Sequence, residues 1–329
     1  MSVGVVLLLA AGGASYAAYR GVTQVDRNLK RVSVMGSDDN KPKVNAVAAG
    51  SINFLMVGSD TRDTIDNSDA KVKAFSPNSR TDSIMILHVN KEHTKAYMVS
   101  IPRDSLVSIP GWRRDKINAS YARGGPKLLR KTVEQLTNVP MDHYLEIDFA
   151  GFKQVTDQLG GVDVNVDKAI CDERKCWTPG VHHLNGEDAL RYVRLRKDLT
   201  GNNNNVSDFD RQRRQQQFLH ALMAKLSSQG ATRDLTKMQA IVNEISHTIT
   251  ADDGFHALDT AWDLHHIQPT DIAFISLQHN FTDVDDAVAG KSVLLNASVN
   301  DLWKALQTDT VDQWVAAHPD AISDVTHGK

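Results

Sequence analysis

The chain has 329 residues, is 41% hydrophobic and 23% charged, and carries a formal net charge of −3. That length allows a sizeable core in one domain or two. The acidic balance leaves no electrostatic footprint for nucleic acid, so any anion site must be a local concentration of charge.

Residues 3–19, "VGVVLLLAAGGASYAAY", carry no charge. At 1.5 Å per residue they span about 25 Å, near the short limit for a membrane helix. An uncleaved anchor over 1–20 is preferred to a cleaved signal peptide, for which "SYA" at 15–17 would be the cleavage site. The basic residues Arg20, Arg27, Lys30 and Arg31 follow the segment. Taken alone, that charge order would place the main domain on the cytoplasmic side. Residues 21–50 are expected to be a stalk, with linker-like "GSDDNKPK" and "AVAAGS" and a short strand around Val32–Met35.

The apolar run "INFLMVGSD", 52–60, predicts a buried strand ending in a polar loop at Asp60. The polar stretch 61–80 predicts a surface loop. "TDSIMILHV" (81–89) and "KAYMVSIPRD" (95–104) predict two strands around the turn "NKEHT". A turn centred between Glu92 and His93 pairs residues whose numbers sum to 185, which brings Asp82 beside Arg103. If the 52–60 strand runs parallel to the second of these, Asp60 reaches the same edge, where open α/β sheets collect ligand groups. Asp60, Arg80, Asp82 and Arg103 therefore form one expected constellation, with surface salt bridging as the plainer alternative.

"GGPKLLRKTVEQL" predicts a helix over about 127–136. "DHYLEIDFAGFKQVTDQLGGVDVNV" reads as strand, helix, turn and strand. Cys171 and Cys176, in "CDERKC", are the only cysteines. Their four-residue loop permits a disulfide in a turn and suits neither a redox pair nor a zinc site, which favours an exported domain. In "GEDALRYVRLRKD", alternation predicts a strand with Tyr192, Arg194 and Arg196 on one face, two arginine forks suited to phosphate oxygens.

A Gly/Asn-rich loop leads into "DFDRQRRQQQFLHALMAKL", 208–226. A helical wheel puts Phe218, Leu222 and Leu226 on one stripe that continues through Gln215, Arg214 and Arg211. Arg213, Gln216 and Gln217 are expected to face water. Ser207 or Asp208 is the expected N-cap, so Arg211 falls in the first turn, where a helix favours an anion. Between Arg191 and Arg214 lie seven basic residues against Asp198, Asp208 and Asp210. Beyond 230 the pattern gives helices over 235–249 and 257–265, a strand "IAFISL" and a final helical part. The pairs His182/His183 and His265/His266 lack ligand spacing.

Two carboxylates and several inward arginines describe a site for a metal–polyphosphate complex, with Mg²⁺ (or Mn²⁺) the fitting ion. There is no Walker loop, Ser–His–Asp pattern or cysteine nucleophile.

The segments "FLMVGSDTR", "SRTDSIMILHV", "MVSIPRDSLV", "KINASYARGG", "DHYLEIDFAGF", "LGGVDVNV", "LNGEDALRYVRLRKD" and "DFDRQRRQQQF" occur in this order between 52 and 226. Together they resemble the LytR–CpsA–Psr family of Gram-positive cell-envelope proteins. The resemblance implies a three-layer α/β/α fold with a central mixed sheet and an apolar tunnel for a polyprenyl chain. It implies a single N-terminal membrane anchor with the domain outside the cell, a catalytic domain over 51–229, and a C-terminal α/β extension over 230–329. It also implies a phosphotransferase that moves a glycopolymer from a polyprenyl-pyrophosphate carrier to peptidoglycan. By motif, Asp60 and Asp82 match metal-associated carboxylates. Arg80, Arg103, Arg194, Arg196 and Arg211 match pyrophosphate-binding arginines. Gln215 matches a site glutamine and Asp208 a carboxylate orienting the arginines, while Lys116 and Asn118 border the site. The general base is open among Asp60, Asp82 and Asp104. A pyrophosphatase and a non-catalytic polyprenyl-phosphate-binding regulator are the competing readings.

Overall fold

The computed structural model describes residues 26–35, 45–60, 81–196, 207–228, 248–257, 267–278 and 280–323, with 42, 43, 246, 260 and 264. The expected anchor (1–20), the loop carrying Arg80, the Gly/Asn-rich loop and nearly all of the 235–249 helix lie outside the described residues. No described helix is long and apolar enough to cross a membrane.

In chain order the elements begin with β1 (Lys30–Val32), β2 (Ile52–Ser59), β3 (Thr81–Val89), β4 (Ala96–Ile101), β5 (Leu106–Ser108) and β6 (Arg114–Lys116). Then come α1 (Ile117–Thr137), β7 (His143–Asp148), α2 (Phe149–Gln158), β8 (Val162–Val166), β9 (Ile170–Cys171), β10 (Cys176–Trp177) and β11 (Gly180–Leu184). They close with α3 (Gly186–Arg194), α4 (Asp208–Ser228), β12 (Ile249–Asp252), β13 (Ile272–Ile275), β14 (Phe281–Asp286), β15 (Gly290–Leu295), α5 (Val299–Thr308) and α6 (Val311–Ala317).

Seven strands form one mixed sheet in the order β1-β12-β7-β2-β3-β4-β13. β2 runs parallel to β7, β4 parallel to β13, and β3 antiparallel to both β2 and β4. The sheet takes β1 from the stretch read as a stalk and β12 and β13 from the C-terminal hundred residues.

β2 and β3 are buried on both faces, which is why they read as near-continuous apolar runs. Alternation divides them between two cores. Phe54, Met56, Met85 and Leu87 pack with Phe152, Leu190, Phe218 and Leu222 from α2, α3 and α4. Leu55, Val57, Ile84 and Ile86 pack with Tyr121, Leu129, Leu302 and Trp314 from α1, α5 and α6. Helices therefore cover both faces of the sheet.

The β3–β4 register runs from Ile84↔Ile101 to Val89↔Ala96, the pairing predicted from the turn. α1 starts earlier than expected and is broken at Gly125, whose φ of 61° and ψ of −157° suit glycine alone. Pro126 starts its second segment, where the sequence placed the helix start.

Cys171 and Cys176 face each other across the β9–β10 pair and form a disulfide. It closes a short loop, so replacing both with serine is expected to cost about 2 kcal/mol on chain-entropy grounds. Urea melts of the double variant measure this. A loss of ligand binding in that variant would show that the bridge reaches the site.

Candidate active site

The C-terminal ends of β2 and β4 and the start of β3 meet at one edge of the sheet. Asp60 follows β2 directly, Asp82 lies at the start of β3, and Arg103 lies two residues beyond β4. The predicted juxtaposition is present, since Arg103 Nη1 donates to Asp82 Oδ1 at 2.7 Å.

Arg194 and Arg196 reach the same carboxylate by a route the sequence did not show. The "GEDALRYVR" segment is the helix α3, not a strand. Asn185 caps it by accepting from Asp188 N, Glu187 and Asp188 sit in its first turn, and Arg191 and Arg194 sit in its last. Those are helix signals at both ends, and they override a two-residue alternation. Arg196 lies just beyond the helix and donates to Asp82 Oδ1 at 3.0 Å. Arg194 lies 3.6 Å from Asp82 Oδ2, with its guanidinium stacked 3.9 Å over the Phe149 ring. The sequence reading missed Phe149. Its signal was its place directly after the Asp148 cap of α2.

α4 brings the remaining groups. Ser207 is its N-cap and forms a reciprocal box with Asp210. Ser207 Oγ accepts from Asp210 N at 3.1 Å, and Asp210 Oδ2 accepts from Ser207 N at 3.0 Å. This places Asp208 and Arg211 in the first turn, where they form an ion pair. Asp208 Oδ1 also lies 3.4 Å from Arg103 Nε. Arg211 is 3% exposed and Gln215 2%. Arg211 Nε and Gln215 Oε1 have no hydrogen-bond partner among the described residues. Buried polar atoms without partners are costly, and here both lie on the face expected to point inward.

The expectation for Gln216 and Gln217 is corrected. They are 0% and 4% exposed. Gln216 Nε2 donates to Ser100 Oγ at 2.8 Å, and Gln217 Nε2 donates to Asp167 Oδ1 at 2.9 Å. α4 is covered on nearly all sides, so its apolar stripe does not mark the only buried face. Arg213 is partly exposed and pairs with Asp167 at 2.5 Å.

Lys116 and Asn118 border the cluster. Lys116 Nζ lies 3.3 Å from Asp104 Oδ1, and Asn118 N donates to the Arg103 carbonyl at 3.2 Å. The β14–β15 hairpin, not foreseen in the sequence, closes this side. Val293 N donates to the Asp104 carbonyl at 2.9 Å, and Phe281 stacks on Phe209 with ring centroids 4.3 Å apart. Arg80 lies outside the described residues.

Five cations, Arg103, Lys116, Arg194, Arg196 and Arg211, thus share the carboxylates of Asp82, Asp104 and Asp208. Burial opposes charge on Asp82, yet Arg211, Arg103, Arg196 and Arg194 together hold its carboxyl below the ordinary 3.8. Burial pushes Arg211 down to about 10 against the pull of Asp208. Burial pushes Asp208 up, and Arg211 and Arg103 only partly offset it. A second anion near Arg211 would restore solvation that the guanidinium lost.

No group of three or more His, Cys, Asp or Glu among the described residues could hold a metal by itself. Among the described residues Asp82 Oδ2 is approached by Arg194 at 3.6 Å, which leaves it acceptor capacity. With Asp60 at the same edge, the donor set fits an ion held by one or two carboxylates and completed by phosphate oxygens.

A mixed sheet between helix layers, with an arginine-rich cluster beside carboxylates at the strand ends, defines the protein as an α/β fold. Residues 19–308 match the LytR_cpsA_psr family model, and the chain belongs to that family. It is 31% identical over 283 residues to regulatory protein MsrR of Staphylococcus aureus, covering 85% of this chain and 80% of MsrR. It is 33% identical over 263 residues to a Bacillus cereus protein named polyisoprenyl-teichoic acid–peptidoglycan teichoic acid transferase TagU, covering 77% and 79%. The crystal structure of Bacillus subtilis TagV superposes with a TM-score of 0.63 at 26% identity, covering 80% of this chain and 97% of TagV.

Proposed function

We propose that this protein transfers a glycopolymer from a polyprenyl-pyrophosphate carrier to peptidoglycan, leaving a phosphodiester link. The observation that carries the reading is the buried Arg211, whose Nε has no hydrogen-bond partner among the described residues, beside Arg103, Arg194 and Arg196 gathered on the Asp82 carboxylate. Membership of the LytR–CpsA–Psr family and likeness to TagU support it.

In this reading the pyrophosphate lies across Arg103, Arg194, Arg196 and Arg211, with Gln215 one turn further along α4. The acceptor hydroxyl oxygen bonds to the phosphorus that carries the glycan. The bond from that phosphorus to the bridging oxygen breaks, and polyprenyl phosphate leaves with the electron pair. The hydroxyl proton passes to a carboxylate at the site, for which Asp104 is the candidate that remains when Asp60 and Asp82 hold the ion. The arginines stabilise charge that grows on the transferring and leaving oxygens. Asp60 and Asp82 would hold Mg²⁺ (or Mn²⁺), which when bound neutralises phosphate charge. The polyprenyl chain would occupy an apolar tunnel between the sheet and its helices. Residues 1–20 would anchor the protein once in the membrane with the domain outside the cell.

The test supplies lipid-linked glycan, Mg²⁺ and peptidoglycan. Covalent attachment of glycan to peptidoglycan is the expected result. Phosphate release alone would replace this reading with a pyrophosphatase. Tight binding without turnover would replace it with a regulator, the role in the name of MsrR.

A further inference from the structure

We propose that Arg214 is a positioning residue, holding the end of α3 so that Arg194 and Arg196 project onto the anion site. The inference rests on the reading of that cluster as a pyrophosphate site.

Arg214 lies on α4 and is buried. Its Nε donates to the Tyr192 carbonyl at 3.0 Å and its Nη2 to the Leu195 carbonyl at 2.6 Å. These belong to the end of α3, where the last carbonyls of a helix lack intrahelical donors. Leu195, the C-cap, has φ −58° and ψ 126°, so the chain leaves the helix without a left-handed residue to close it. A guanidinium from the neighbouring helix supplies the cap instead. Its fork spans two carbonyls, and its charge complements the negative end of the helix dipole.

The location gives this cap its consequence. Arg194 is the last residue of α3 and Arg196 follows the Leu195 carbonyl directly. Their side chains are 43% and 54% exposed, and apart from Asp82 and, for Arg194, the Phe149 ring, little packing fixes them. Their reach to Asp82 starts from the backbone that Arg214 holds.

A second tier braces the arrangement. Asp167 pairs with Arg213 and accepts from Gln217, while Gln217 Oε1 accepts from the Tyr192 hydroxyl at 3.3 Å. Tyr192 is thus fixed at its carbonyl by Arg214 and at its hydroxyl through Gln217. Arg214 fastens the end of α3 directly, and Gln217 does so through the Tyr192 hydroxyl.

The test uses the full chain in detergent, with inorganic pyrophosphate as the titrated probe. Arg214→Ala and Arg196→Ala are each expected to weaken binding about tenfold. The double variant should lose less than the product of the two single losses, because Arg214 acts partly through Arg196 and partly through Arg194. Arg214→Lys should fall between wild type and Arg214→Ala, since a point charge replaces a two-pronged fork. Unchanged binding in Arg214→Ala, or losses that multiply in the double variant, would overturn the proposal.

Hydrogen exchange without ligand supplies the second readout. In Arg214→Ala, amides at 192–196 should exchange faster while those at 219–226 keep their protection. Wild-type rates at 192–196, or loosening throughout α4, would also overturn it. If wild-type protein fails to bind pyrophosphate, the functional reading falls, and exchange still decides whether Arg214 fastens α3.

Discussion

Arg211→Ala is expected to lower glycopolymer transfer by about 10²–10³-fold, the usual scale for removing one donor aimed at developing charge. Its stability should change by no more than about 1 kcal/mol, because two opposing contributions are removed together. The ion pair with Asp208 is lost, but so is the cost of burying a guanidinium already pushed down to about 10. Asp208 keeps Arg103 as a neighbour at 3.4 Å. Arg103→Ala should likewise lose activity while remaining folded. Transfer assays alongside thermal melts separate the two effects. Wild-type activity in both variants would remove the arginines from the site.

Asp82→Asn should behave in the opposite sense and destabilise the fold. One carboxylate holds Arg103, Arg196 and Arg194, and its loss leaves mutually repelling cations at the start of β3. A cost of about 2 kcal/mol at neutral pH is expected, below that of a fully buried pair because Arg194 and Arg196 are half exposed. The pH dependence has a definite sign. The carboxyl is held below its ordinary 3.8 in the folded state. Its stabilising contribution is therefore complete above that value and is lost as pH falls through the folded one. The gap between wild type and Asp82→Asn should shrink on acidification below about pH 4. Urea melts at several pH values measure it, and a gap that stays constant would show that the ionised carboxylate does not hold the cluster.

Some of this was legible in the sequence because neighbouring residues carried it. The β3–β4 register followed from a turn, so local spacing alone was enough to place Asp82 against Arg103. The burial of Arg211 and Gln215 followed from the phase of Phe218 and Leu222. The end of α3 was misread because three alternating residues were weighed above the Asn185 cap and the charge gradient along "GEDALRYVR". Gln216 and Gln217 were misplaced because a wheel locates an apolar stripe and cannot show that polar residues opposite it meet Ser100 and Asp167. β12 and the β14–β15 hairpin were missed because each short strand depends on partners far along the chain. Phe281 and Val293 show nothing locally of the residues they touch.

The two outermost strands have a practical consequence. β1 and β12 cover one side of β7, and β13 covers the open side of β4. Residues 51–229 contain neither β1, β12 nor β13, so a fragment trimmed to them would present two rows of unpaired backbone donors and acceptors. Such rows template pairing with another chain, and the fragment would be prone to sticking to copies of itself. The segments flanking the arginine cluster in sequence thus act as selvedges, keeping the central strands from unravelling into assemblies.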